Sequence, residues 1–352
     1  PQIPWNDVLS ASGLTGLKSA AFACRQSHDG LQINFFLSAP ESSRRGIFKI
    51  IAPVAKDANP PAFVPADVVR FSRWRLDGQK SWTEIQKMLA EISPGALGYL
   101  NSFIAIANAN AQQKDPDFDL RKNLIGNLGD DIISYQKAPA KNLPPDSAPA
   151  LLLLGANNPD QMVLAIKSLA QLLPAQGNAA ADRDFLGKKI YTIPLPAQRA
   201  AGAANASPRL LYFAANNGYV ALTADLSMLE EFLRSNQGQD KSLRDTPGLA
   251  AAMQRVGGAG NGLFCYQNQR KTMRAVFDAL KNAAGQSGAA NPLARLLPGG
   301  IGGNNFGGWA DFSLLPDYDT VAKYFYFSVY GGGATADGIY FKVFAPRPPQ
   351  LN

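Results

Sequence analysis

The chain has 352 residues, 46% of them apolar and 10% aromatic, enough to bury a substantial core in one large or two medium domains, so global disorder is excluded. Charged residues are only 17%, below the roughly 25% of an average soluble protein, and the formal charge of +7 is mild and scattered, which argues against a nucleic-acid partner. Solubility therefore rests on Asn, Gln, Ser and Gly, a usage commoner in envelope and secreted proteins than in cytosolic enzymes.

In chain order, the first signal is a hairpin. "SAAFACRQSHDGLQINFFLSAP" (19–40) reads strand, Asp29-Gly30 turn, strand, because Asp-Gly supplies the positive φ of a tight turn. The sole histidine, His28, falls in that turn and reads as solvated. One imidazole excludes metal sites built on several histidines, and its neighbours Ser27 and Asp29 point away from it in an extended chain, which argues against a serine triad. Next, "DVVRFSRWRL" (67–76) reads as an exposed strand whose Arg70, Arg73 and Arg75 stems cover apolar surface. The helix "SWTEIQKMLAEI" (81–92) follows, with Ser81 and Glu84 at capping-box spacing and Trp82, Ile85, Leu89 and Ile92 on one face.

"DPDFD" places Asp115, Asp117 and Asp119 at the opening spacing of a calcium loop. Leu120 and Gly126 stand where such a loop needs Gly and Glu, so the favoured reading is capping or solvated carboxylates, with calcium as the alternative. Then "LRKNLIGNL" reads as a short helix turning Leu120, Leu124 and Leu128 inward. Gly126 or Gly129 would end it in the left-handed conformation, and "DIISY" would begin a strand. Asp130 and Asp131, adjacent at the mouth of that strand, should project to opposite faces and so cannot share a proton. Ser134 and Lys137 have dyad spacing, but on a strand they too fall on opposite faces.

"KNLPPDSAPA" (141–150) is the candidate linker, giving an N-terminal half over 1–143, a Pro-rich linker over 144–150 and a C-terminal half over 151–352. The second half repeats the strand–cap–helix construction three times. "ALLLLGA" precedes a helix capped by Asn158 with Pro159 at its first position; "YVALTA" precedes one capped by Asp225 or Ser227; "GLFCYQ" precedes one capped by Asn268. Two further hairpins centre on Asn217-Gly218 and on "ADGIYF" near the C-terminus. The glycine-rich run "PGGIGGNNFGGW" (298–309) reads as a surface loop before a strand; the alternative makes Trp309, with Trp74 or Trp82, a stacking platform for sugar or peptide. Cys24 and Cys265 permit one disulfide without requiring it. These signals add up to an α+β fold of antiparallel sheets with amphipathic helices packed on a face, and the likeness of the two terminal hairpins suggests an internal duplication.

"SWTEIQKMLAEISPGALGYL" through "DLRKNLIGNLGDDIISY", then "ALLLLGANNPDQMVLAIKSL", "GKKIYTI", "YVALTADLSMLEEFL" and "SLRDTPGLAAAM", resembles an uncharacterised family of secreted or lipid-anchored bacterial proteins, a domain of unknown function. Members similarly carry a Leu-Gly-Asp/Glu step before a strand and a Ser-Leu-x-Asp step before a short helix; the resemblance covers roughly residues 60 to 345. It implies envelope localisation and an α+β repeat architecture, and it brings no catalytic residues.

The expectation is thus a non-enzymatic secreted, periplasmic or outer-envelope protein that binds or scaffolds another envelope component or an extracellular ligand, without a cofactor. The abrupt start at Pro1 reads as the loss of a leader, with a lipid anchor upstream as one form of it. No run reaches the ~18 apolar residues of a membrane span. The alternatives are a hydrolase using carboxylates from Asp115, Asp117, Asp119, Asp130 and Asp131, and an extracellular carbohydrate or peptide binder using the tryptophans.

Overall fold

The structure, a computed structural model, describes residues 5–113, 115–139, 147–170, 182–195, 209–235, 241–284 and 314–351. Trp309, the rest of the glycine-rich run and residues 141–146 of the Pro-rich segment lie outside the described residues. The fold is mixed α+β around a single twelve-stranded sheet. Its strands are β1 (Ser19–Ser27), β2 (Gly30–Ser38), β3 (Arg70–Arg75), β4 (Leu128–Gln136), β5 (Ala150–Ala156), β6 (Arg183–Phe185), β7 (Lys188–Leu195), β8 (Arg209–Asn216), β9 (Tyr219–Thr223), β10 (Leu263–Gln267), β11 (Ser328–Ala334) and β12 (Ile339–Pro346). They lie in the order β1-β2-β12-β11-β10-β3-β4-β5-β9-β8-β7-β6, and every neighbouring pair is antiparallel. Strands from residues 1–143 and from 151–352 are interleaved in this sheet: β2 pairs with β12, and β3 with β10.

All three hairpins form, but only the middle one makes its turn as read, and the C-terminal one closes with a four-residue loop between Ala334 and Ile339. Asn217 and Gly218 adopt φ of 51° and 80°, the left-handed pair that a two-residue turn between twisted strands requires. In the first hairpin Ser27 pairs with Gly30, so the turn residues are His28 and Asp29, one position earlier than Asp29-Gly30. Gly30 serves a different need, since a Cβ there would come within 2.2 Å of the Ala345 carbonyl oxygen.

The helices are α1 (Trp5–Ala11), α2 (Ile47–Ile50), α3 (Gly78–Ile92), α4 (Pro94–Gln112), α5 (Pro159–Ala170), α6 (Leu226–Arg234), α7 (Leu249–Arg255) and α8 (Gln269–Ala284), with a further short turn of helix at Tyr318–Val321. They cover both faces of the sheet rather than one. On the first face Phe71, Ile133, Tyr135, Leu151, Leu153 and Ala221 pack beneath Leu229 and Phe232 of α6 and Leu249 and Met253 of α7. On the second, Phe213 and Val220 pack beneath Met162 and Val163 of α5, and α4 adds Ile104 and Ala107 against Ala165. The alternation along β5, where Leu151 and Leu153 serve one core and Leu154 the other, follows from the two-residue period of a strand.

Asn158, Asp225 and Asn268 cap their helices, accepting from the backbone N–H groups of Gln161, of Ser227 and Met228, and of Lys271. The helix after β3 differs from its reading. It begins at Gly78, and Asp77 caps it by accepting from the Lys80 N–H at 3.0 Å, so Ser81 and Glu84 form no capping box. Glu84 is instead buried at 7% exposure: Oε1 accepts from the Gly46 N–H at 2.9 Å and Oε2 meets Lys49 Nζ at 3.3 Å, tying α3 to the start of α2. Burial works against ionisation, but the Gly46 N–H and the Lys49 charge outweigh it and hold the carboxyl below its ordinary value of 4.5. A depressed carboxylate stabilises the fold fully above its unfolded pKa and loses that contribution as pH falls through the folded value. In acid titrations of stability by urea denaturation, Glu84→Gln is therefore expected to flatten the fall below about pH 4.5; an unchanged acid limb would contradict this role.

Candidate binding cleft at the polar end of the sheet

The first face of the sheet changes character at one end of its central strands. Phe71, Arg73 and Arg75 alternate along one side of β3, and Tyr135, Ile133 and Asp131 along the facing side of β4, with Arg75 directly opposite Asp131. An apolar core thus gives way within two residues to a charged cluster. β3 is a central strand between β10 and β4, not an exposed one; Arg73 and Arg75 face inward rather than coating a surface, whereas Arg70, on the opposite face, is exposed.

Asp131 is 6% exposed, and both of its oxygens are engaged. Arg73 Nε donates to Oδ1 at 3.0 Å and Arg73 Nη2 to Oδ2 at 2.7 Å, a forked pair. The Tyr219 hydroxyl donates to Oδ2 at 2.8 Å, and Arg75 Nη1 lies 2.5 Å from the same oxygen. Arg73 Nη1 also donates to the Asn59 carbonyl at 2.7 Å, which draws the 53–69 segment over the cluster. Burial alone would lower the Arg73 pKa; the hydrogen bonds and charge of Asp131 more than compensate and raise it. Burial first, and then the Asp131 charge, push the Tyr219 hydroxyl well above its ordinary value, so it remains a donor.

Asp130, whose side chain is 31% exposed, is held by Lys56 and by Arg75 Nη2 at 3.2 Å. The two adjacent carboxylates therefore meet the same arginine and line the same cleft, against the expectation of opposite faces. The cause is the irregular pairing of β4 with β5 between Leu128 and Ile132, a bulge that turns the strand at this point. β4 begins at Leu128, so both acids lie within the strand rather than at its mouth.

The glycines have a different task from the one read in the sequence. Gly126 has a right-handed φ of −63° and closes a single wide turn, Arg121–Ile125, by donating to the Arg121 carbonyl. Gly129 is not left-handed either. A Cβ on Gly129 would stand 2.7 Å from the Gly155 oxygen, one on Gly155 2.9 Å from the Asp131 oxygen, and one on Gly78 2.7 Å from the Gly129 oxygen. The three allow backbone to pack on backbone beside Asp131.

Over this floor lies an open cleft of about 470 Å³, walled by Arg75, Asp77, Asp130, Asn157 and Tyr219 and by the backbone at Gly129, Gly155 and Gly218. Its volume suits a small molecule. Arg75 Nε is buried there without a hydrogen-bond partner.

The other sequence-predicted residues do not converge on the cleft. Asp115, Asp117 and Asp119 are exposed; Asp115 accepts from the Asp117 N–H and Asp119 from the Lys122 N–H, as loop and capping carboxylates do. Among the described residues no group of three or more His, Cys, Asp or Glu side chains is placed to hold a metal. Trp82 is half-buried against the α4 core, and Trp74 is half-buried with its indole nitrogen enclosed and unpartnered. Cys24 and Cys265 are both free, on β1 and β10 with three strands between them, a separation of about 19 Å at the usual strand spacing. Burial pushes the Cys265 thiol up to about 12. Among the described residues no helix is long and apolar enough to cross a membrane. No protein-family model, curated protein or solved structure matches the chain.

The geometry separates the partly exposed Asp130 side chain from the close backbone packing of Gly155 on Asp131. Asp130→Asn, in a partly exposed ion pair, is expected to cost under about 1 kcal/mol in urea denaturation. Gly155→Ala, which drives a methyl into the Asp131 backbone, is expected to cost about 1–3 kcal/mol; equal effects at the two sites would contradict this packing.

Proposed function

We propose that the chain is a non-enzymatic binding or scaffolding protein of the bacterial envelope or exterior, and that it takes a small polar ligand in the cleft between Arg75 and Tyr219. The observation that carries this reading is the saturation of the cleft carboxylates. Acid–base catalysis needs a carboxyl free to exchange a proton at neutral pH, and Asp131 already receives two arginines and a tyrosine, Asp130 is claimed by Lys56 and Arg75, and Asp77 caps its helix and pairs with Lys80. What remains open to a ligand is the exposed Asn157 amide and the backbone at Gly129, Gly155 and Gly218, groups that recognise by hydrogen bonds. The envelope assignment is supported by the low charge content and by the family resemblance.

Internal duplication belongs to the same proposal. Its support is the strand order, which from either edge runs through two hairpins and then two single strands, and the parallel between β5–α5 and β10–α8, each a strand followed by an Asn-capped helix.

The test pairs ligand screening with turnover assays. Thermal shift and calorimetry against mono- and disaccharides, amino acids and dipeptides are expected to find a binder, and Asn157→Phe, at an exposed rim position, is expected to weaken it tenfold or more without loss of stability. Chromogenic ester, phosphate and glycoside substrates are expected to remain intact. Turnover that Asp130→Asn abolishes would overturn the proposal in favour of a carboxylate hydrolase.

A further inference from the structure

The two edges of the sheet are built differently. At one, β6 is three residues long and carries Arg183 and Asp184, the short charged edge that discourages further pairing. At the other, β1 runs for nine residues, all exposed, with unbroken register against β2 and no proline. Its only charged residue is Arg25. Such an edge presents a row of N–H and C=O groups that, among the described residues, find no partner strand and nothing that blunts them.

The register fixes which groups those are. Ser27 and Gly30 flank a two-residue turn and form a hydrogen-bonded pair, so the odd-numbered residues of β1 bond to β2. Ala20, Phe22, Cys24 and Gln26 then direct their backbone groups outward. We infer that β1 pairs antiparallel with β1 of a second copy of this chain, centred on Ala23, to join two sheets into one.

This register alone satisfies all four outward residues of both copies. Ala20 faces Gln26 and Phe22 faces Cys24 across the two-fold axis, giving about eight backbone hydrogen bonds. Side chains agree with it. On one face Ala23 meets Ala23 and Ala21 meets Arg25, so no like charges are opposed. On the other, Phe22 and Cys24 extend the row of Ile33, Phe35, Phe341 and Val343 that crosses β2 and β12, a row already joined by the Phe35–Phe341 ring contact. Phe22 is 68% exposed, and the Cys24 of a second copy would cover it. A strand-edge interface is small, so the dimer should form at concentrations on the order of tens of micromolar.

Sedimentation equilibrium at about 100 µM is expected to give a mass near twice 37.6 kDa that falls on dilution. Phe22→Pro removes one outward N–H without touching a bond to β2, a position at which edge strands accept proline, and is expected to weaken dimerisation tenfold or more. Ala23→Lys, which opposes two ammonium groups, should do the same and serves as the second variant if the first misfolds. Across the pair the two Cys24 residues are diagonal neighbours about 7–8 Å apart, so a short bis-maleimide should link them in the parent and not in Phe22→Pro. A monomer at that concentration, a dimer indifferent to both substitutions, or a monomer that instead captures an extended peptide on β1 would overturn the inference. None of these outcomes depends on the cleft.

Discussion

The contact on which the centre of this fold depends is the buried pairing of Asp131 with Arg73, Arg75 and Tyr219. Three elements distant in sequence, β3, β4 and the start of β9, meet there. An ion pair withdrawn from water pays several kcal/mol of desolvation, and only saturated hydrogen bonding recovers it. Both Asp131 oxygens are in fact engaged, and Arg73 spends a further N–H on the Asn59 carbonyl, so one polar knot fixes the register of β3 on β4 and anchors the loop above them. A one-residue slip of β4 that set Ile132 opposite Arg75 would carry Asp131 to the other face and take from Arg73 its forked partner.

The same knot shapes the cleft. Because Asp131 lies within the sheet, its neighbours must come close, and Gly78, Gly129 and Gly155 are the residues that permit it. The bulge in β4 then brings Asp130 to the side of Asp131, where Arg75 serves both. The resulting surface is rich in hydrogen-bonding groups and poor in free acid or base, which is the physical basis for reading it as a place of recognition.

Much of the local structure was legible in the sequence. Asn158, Asp225 and Asn268 cap helices because their side chains reach the next free N–H groups, and Asn217-Gly218 makes its turn because few other pairs tolerate two positive φ angles. What escaped was long-range. Glu84 has capping-box spacing yet bonds Gly46, and Gly129 looks like a helix terminator yet serves a backbone contact with Gly155; in both cases a partner far along the chain decides. One signal for the cluster was present. Phe71, Arg73 and Arg75 alternate on one side of a β-prone run, and arginines beside a core phenylalanine need carboxylates, for which "GDDIISY" offered an acid on the matching strand parity. Tyr219 carried no such signal.

The most direct test is a double-mutant cycle on Arg73→Met and Asp131→Leu, followed by urea denaturation. Arg73→Met takes from the buried Asp131 its forked partner and Asp131→Leu takes from Arg73 its buried one, so each should cost up to about 3–5 kcal/mol, while the double change should cost less than the sum, leaving a coupling of about 2 kcal/mol or more. Additive losses would mean that the two side chains do not depend on each other, and the account of the sheet's centre would fail.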